Sequence, residues 1–258
     1  MKRHAWIILA SICIIFLQGC AYKILFLWER NVWKDLRGII TMVEPADLKK
    51  YRQLLPDQFE MPDQPMVGVY FFDFLDMEPW MVTFTSVLKP YKEATVLLRC
   101  KYQNQEGWHP LTMPVSDEVA NIAGRRLGFP KYVADNMSLA KTDSGWEGIV
   151  KHLGQEQISL KFMRGPIVGI KKLPSIQEAF IKGVGPEANL DCQIFLLVPP
   201  TTGPYVKVIH TSPPSRVNSE AGMVRIELAD PWNSLIPNGT LSPGLFERFA
   251  LDPASIKE

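Results

Sequence analysis

The sequence predicts a mainly β (α+β) fold, a barrel or sandwich of mainly antiparallel strands carrying a few short helices. Three observations predict it. Short apolar or alternating runs recur along the chain, separated by turn-forming residues. The 258 residues include 21 prolines, each of which removes a backbone donor and argues against a helical bundle. Helical patterning is confined to a few short stretches. The composition, 47% hydrophobic and 21% charged, supplies enough apolar material for a real core and excludes a disordered chain, a collagen-like repeat and a disulfide-dense mini-protein. Lys and Arg number 28 against 27 Asp and Glu, a net charge of +1. That balance implies no basic face, so no nucleic-acid partner is expected.

The N-terminus, MKRHAWIILASICIIFLQGC, reads as an address. Lys2 and Arg3 precede an apolar run of 13 residues, Ala5 to Leu17. The run falls short of the about 20 residues that span a bilayer and fits the core of a signal peptide. Leu17-Gln18-Gly19-Cys20 resembles the bacterial lipobox, in which the cysteine is acylated and the chain is cut just before it. This reading divides the chain into a signal peptide (residues 1–19), a lipidated N-terminal tether (20–42) and a domain (43–258). Loss of residues 1–19 removes Lys2 and Arg3 and turns the net charge from +1 to −1. Ala21, rather than Asp, after the lipidated cysteine points to the outer membrane facing the periplasm. The expected location is therefore the bacterial cell envelope, with the membrane as a partner through the anchor at Cys20. The alternative is an uncleaved anchor continuing into Ile24–Trp28. Cys100 and Cys192 would then sit in an oxidising compartment that permits a bridge, and two buried thiols fit the sequence equally well. His109, His152 and His210 stand apart, without metal-ligand spacing, so no metal is expected.

The elements follow in order. Asp47 to Pro56 reads as one amphipathic helix: Asp47 caps it, Leu48, Tyr51, Leu54 and Leu55 form its apolar face, and Pro56 stops it. Met66–Leu75, Met81–Leu88 and Thr95–Tyr102 read as strands. Ser116 to Gly128 reads as a second helix, with Ser116 as cap, Asp117 and Glu118 at the positive end, Arg125 and Arg126 at the negative end, and Gly128 just past it. A meander follows: Met137–Lys141, a turn, Trp146–His152, a turn, and Ile158–Met163. Further strands are expected at Cys192–Val198, Tyr205–His210 and Met223–Leu228, and a last helix at Gly244–Leu251.

The informative segment is Gly124-Arg-Arg-Leu-Gly-Phe-Pro-Lys-Tyr-Val-Ala134. Pro130 restricts the backbone just before Lys131, so the lysine has a defined direction. In an apolar setting the ammonium ion is disfavoured, and the amine pKa falls from its ordinary value of about 10.4. A neutral amine attacks a ketone and forms an imine. The protonated imine is an electron sink, into which a β-keto acid can lose CO2.

This segment resembles the signature of the acetoacetate decarboxylase family, whose usual form is Gly-Arg-Glu, a few residues, then aromatic-Pro-Lys-Lys. Val115 to Ala123 resembles the family's approach to that motif, and Pro90-Tyr-Lys-Glu-Ala94 resembles its Pro-Tyr-x-Glu-Ala. The similarity spans roughly residues 43 to 240. It implies the family's barrel or cone, and it implies that Lys131 is the imine-forming lysine, with Glu93 as the active-site glutamate that positions substrate or shuttles a proton. Arg125 matches the motif arginine, as a structural or substrate-orienting group. Such chemistry needs no metal or organic cofactor. The sequence also departs from the pattern. Tyr132 stands where the second lysine is usual, so desolvation would have to activate Lys131 without an adjacent ammonium. Arg126 replaces the usual glutamate, and the stretch is one residue shorter. An acidic position expected on an early strand falls near Tyr70, with Asp73 a few residues on. Tyr70, Tyr132 and Arg125 are therefore the candidate substrate-binding residues. The aromatics Tyr70, Phe71, Phe72, Phe74, Trp80, Phe84 and Trp108 either fill the core or line a ligand cavity.

The resulting reading is a lyase acting on a β-keto acid or related carbonyl compound through a lysine imine, its partner a small keto acid or carbonyl ligand. The alternative is an envelope lipoprotein that binds such a ligand on the same scaffold without turning it over. The sequence leaves a homo-oligomer open.

Overall fold

The computed structural model describes residues 32–78, 89–102, 104–126, 129–166, 183–185, 207–209 and 216–250. These form one large curled sheet with two α-helices and a single 3-10 turn. In chain order the elements are β1 (Val32–Val43), α1 (Leu48–Leu54), β2 (Val67–Glu78), β3 (Tyr91–Tyr102), β4 (Gln105–Val115), α2 (Glu118–Arg126), β5 (Lys131–Val133), β6 (Asn136–Lys141), β7 (Gly145–His152), β8 (Gln155–Arg164), β9 (Gly183–Gly185), β10 (Lys207–Ile209), β11 (Arg216–Leu228) and β12 (Thr240–Ala250). The strand order is β10-β9-β4-β3-β2-β1-β12-β11-β8-β7-β6, and β5 also pairs with β4. Pairing is antiparallel except where β5 and β9 join β4. The predicted mainly β class with few helices is the class observed.

The sheet curls because one apolar cluster is shared by strands far apart in its order. Ile39 of β1, Phe71 of β2, Val96 of β3, Leu139 of β6, Val150 of β7, Leu160 and Phe162 of β8, Val224 of β11 and Phe246 of β12 all belong to it. The edge strand β6 thereby returns over β2 and β3. A second cluster lies on the opposite face of β1 to β4, built from Leu36, Ile40, Tyr70, Phe72, Phe74, Tyr91, Leu97, Trp108 and Val115, with Ala120 of α2 packed on it. Side chains alternate across a strand, so these four strands are buried on both sides.

Several expectations hold. Asp47 caps α1, its carboxylate accepting from the backbone N–H of Lys49 (2.8 Å) and Lys50 (3.0 Å). Tyr51 and Leu55 are buried beneath it, but Leu48 is 56% exposed and takes no part in the apolar face. The meander of β6 to β8 is present, and its last hairpin turns through Leu153 and Gly154, both at positive φ (51° and 73°). That pair of left-handed residues is the two-residue turn whose twist matches the flanking strands.

Other expectations are corrected. Gly244–Leu251, read as a helix, lies largely in strand β12, paired with β1 on one side and β11 on the other. Leu245 and Phe246 are both buried, so the strand lacks the period-two signature and its consecutive apolar residues mimic a helix. Asp117 rather than Ser116 caps α2, its Oδ1 accepting from the Ala120 N–H at 2.9 Å, while the Ser116 hydroxyl accepts from the Lys92 N–H. The sheet begins with β1 at Val32–Val43. Met81–Leu88, Cys192–Val198, Trp80, Phe84, Cys20 and Cys192 lie outside the described residues. Cys100 is a buried free thiol, and burial pushes its pKa up to about 12.

Candidate active site

Two local features place Lys131. Strand β4 leads into α2, and the chain returns as the three-residue strand β5, which pairs in parallel with β4 in the register Met113 to Lys131. Between α2 and β5 the Phe129 N–H donates to the Gly124 carbonyl at 3.0 Å, and the Lys131 N–H donates to the Phe129 carbonyl at 2.8 Å. This tight turn around Pro130 aims the lysine side chain towards the second cluster. Its stem crosses α2 at Gly124, where an added Cβ would lie 2.2 Å from Lys131 Cδ and 2.4 Å from Cε.

Glu93 arrives from the neighbouring strand. It pairs with Phe72 on β2 and Val115 on β4, in the middle of the second cluster. Lys131 Nζ lies 2.6 Å from Glu93 Oε2, with the two side chains only 9% and 7% exposed. Tyr70 donates its hydroxyl to Oε1 at 3.0 Å, and Tyr91 donates to Oε2 at 3.5 Å. The carboxylate is therefore surrounded by three donors, which is what a buried charge requires. Burial, and next the negative charge of Glu93, hold the Tyr70 and Tyr91 phenols well above the usual phenol range, so both remain neutral donors.

The aromatics position the phenols. Tyr70 packs on Phe72 with ring centroids 4.6 Å apart, Phe72 meets Phe74 edge-on at 6.2 Å, and Phe74 stacks on Tyr91 at 4.6 Å. This continuous run, on two adjacent strands, brings both hydroxyls to one carboxylate. Lys131 Nζ also lies 5.7 Å from the Tyr91 ring centroid and 5.9 Å from that of Phe129, within cation–π range.

Of the candidates read from the sequence, the structure brings together Lys131, Glu93 and Tyr70. It does not bring Arg125 or Tyr132 to them. Arg125 is exposed on α2. Tyr132 follows Lys131 along β5 and so faces the other way, packing its ring on His152 at 4.7 Å, with a hydrogen bond from Thr112 and a phenol pKa raised by burial. Asp73 is likewise on the opposite face, bound to Arg37 at 3.0 Å and to Lys92 at 3.6 Å. The aromatic run divides in the same way, with Phe71 in the inner cluster and Tyr70, Phe72 and Phe74 in the outer one. Two residues were missed. Tyr91 lies inside the Pro90-Tyr-Lys-Glu-Ala94 motif, two positions before Glu93, and period-two alternation puts it on the same face. Phe129, the aromatic of the Phe-Pro-Lys segment, flanks the amine.

Among the described residues no group of His, Cys, Asp and Glu has the arrangement of a metal site. The pair is instead built for proton exchange: an amine and a carboxylate in direct contact, shielded from water, with two neutral phenols beside them.

A lysine–carboxylate pair buried on the outer face of a curled, mainly antiparallel sheet defines the class of protein: a sheet that carries a shielded amine. The model of one family, described as acetoacetate decarboxylase, matches residues 32–177, more than half of the chain, and the chain belongs to that family. Solved structures agree on the fold. An acetoacetate decarboxylase from Legionella pneumophila is 16% identical, with a TM-score of 0.63 over 84% of this chain and 82% of that one. An acetoacetate decarboxylase-like enzyme from Sphingomonas wittichii RW1 is 18% identical, with a TM-score of 0.58 over 84% and 89%. The enduracididine biosynthesis enzyme MppR, solved with the condensation product of pyruvate and imidazole 4-carboxaldehyde, is 12% identical, with a TM-score of 0.58 over 83% and 84%. No curated protein sequence is significantly similar.

Proposed function

We propose that this protein is a carbon–carbon lyase that binds a β-keto acid or related carbonyl compound as an imine on Lys131. The observation that carries the reading is the 2.6 Å contact between Lys131 Nζ and Glu93 Oε2, with both side chains buried. Glu93 takes one proton from the ammonium and leaves a neutral amine. The nitrogen lone pair attacks the substrate carbonyl carbon, and the carbonyl oxygen takes a proton from that nitrogen and becomes a hydroxyl. Glu93 returns the proton to that hydroxyl, which departs as water and leaves a protonated imine. The bond between the α-carbon and the carboxylate then breaks, its electron pair enters the imine, and CO2 leaves as an enamine forms. Protonation of the enamine carbon and hydrolysis of the imine release the ketone and restore the amine. Tyr70 and Tyr91, neutral at ordinary pH, hold Glu93 in place through each transfer. Attack of the same enamine carbon on an aldehyde carbonyl, in place of its protonation, would be an aldol addition that forms a carbon–carbon bond and leaves the imine to be hydrolysed, and the condensation product bound to MppR supports keeping that chemistry in view.

Imine trapping tests the reading. The folded domain is incubated with acetoacetate and longer β-keto acids, reduced with borohydride and mapped by peptide mass spectrometry. An adduct on Lys131, absent from Lys131→Ala, is expected. A folded protein that yields no adduct with any carbonyl compound near neutral pH would sink the covalent mechanism and leave the binding role.

We also propose that Cys20 carries lipid and holds the domain at the envelope, supported by the Leu17-Gln18-Gly19-Cys20 sequence. Fractionation of cells expressing the full chain should find the protein with membranes, and Cys20→Ala should abolish labelling by a fatty-acid probe. Undiminished labelling of that variant would refute it.

A further inference from the structure

We infer that Gly124 is a positioning residue for Lys131: its missing side chain is the slot through which the lysine stem reaches Glu93. Gly124 lies inside α2, where glycine is a poor choice, because alanine is the better helix former. A Cβ there would fall 2.2 Å from Lys131 Cδ, 2.4 Å from Cε and 3.0 Å from Cγ. All three nearest atoms belong to this one side chain. The helix itself therefore has no need of the glycine, whereas the lysine does. The lysine stem is also the part that yields most easily: the backbone of Lys131 is held in β5 against β4, whereas its side chain is held at the amine end, by Glu93 and the rings of Tyr91 and Phe129. Substitution should leave the fold in place and move the amine.

The consequence for chemistry rests on the imine reading above. A misplacement of about 1 Å costs a positioned group on the order of 100-fold in rate. Gly124→Ala should therefore keep or raise the thermal midpoint, because the helix gains, while imine trapping at Lys131 falls at least about tenfold.

A second readout stands apart from catalysis. The rate at which an amine-acylating reagent modifies Lys131 is measured by peptide mass spectrometry in the wild type, Gly124→Ala, Glu93→Gln and the double variant. In the wild-type background Glu93→Gln should change that rate clearly. In the Gly124→Ala background it should change it little, because the amine no longer meets the carboxylate. Full persistence of the Glu93 effect in Gly124→Ala would overturn the inference, whether or not the wild type traps any substrate. Failure of trapping in the wild type alone would overturn the imine reading and leave this one standing. If Gly124→Ala lowers the midpoint, adding Lys131→Ala should restore it by removing the clashing stem. Absence of that rescue would also overturn the inference.

Discussion

Phe71 and Phe72 are neighbours in β2, both fully buried, yet they belong to different interiors. Phe71 faces the core enclosed by the curl of the sheet, whose apolar members come from strands as far apart in the order as β3 and β6. Phe72 faces the outer cluster, where Glu93, Lys131 and two phenols are set among the aromatics. The first interior closes the fold. The second tolerates buried charge because a run of aromatic rings holds donors around one carboxylate. Burial alone therefore does not separate structural from chemical positions in this protein. The face of the strand does.

The comparison is broken most sharply at Glu93. Glu93→Gln keeps the shape and removes the proton acceptor, and loss of a positioned acid–base group costs about 10² to 10⁴-fold. Trapping at Lys131 should slow by that order, and the thermal midpoint should fall because the buried amine loses its charge partner. A variant trapping at the wild-type rate would show that the carboxylate only holds charge.

The inner face should answer to pH instead. Cys100 has an ordinary pKa of 9.0 and is pushed up to about 12 by burial in the inner cluster. An unfolded chain releases this proton near pH 9, and the folded chain keeps it until about 12. Stability from this group is whole below pH 9 and is lost as pH rises through that window, at about 1.4 kcal/mol per pH unit while it lasts. Tyr51, also raised by burial, adds to the fall once the unfolded phenol ionises. Denaturant melts from pH 8 upward should show the decline, and Cys100→Ala should make it shallower. An unchanged slope would mean that the thiol does not report on the inner core.

The smallest effect should come from the residue closest to the amine in sequence. Tyr132→Lys restores the usual family pair, but the new ammonium would face His152 and Thr112 rather than Glu93. Trapping at Lys131 should change by less than about threefold, within what one solvated charge contributes, while the thermal midpoint drops as the ring contact is lost. A large gain in trapping would show that sequence adjacency outweighs the face.

Much of this was legible beforehand. Lys131 and Glu93 stand in two short motifs whose residue types fix their chemistry, and α1 and the β6–β8 meander announced themselves through a cap, turns and alternation. The rest was hidden for definite reasons. Strand β4 contains Pro110 and Pro114, which argue locally against a strand, yet β3 on one side and the short strands β5 and β9 on the other complete it. Strand β12 buries the adjacent Leu245 and Phe246 on opposite faces, so it reads as a helix. Strand β1 follows the apolar N-terminal stretch directly, with no turn signal to mark where it begins. The opposite orientations of Lys131 and Tyr132 required knowing that the turn ends in a strand at all.

That three-residue strand makes the protein sensitive to insertions and deletions in an unusual way. Its register against β4 sets Lys131 opposite Met113, and a slip of one residue in a strand exchanges its two faces. A single deletion after α2 would turn the amine towards His152 and present a phenol to Glu93. Chain length here is thus a chemical variable, and descendants of this sequence can exchange residues in that turn far more freely than they can lose one.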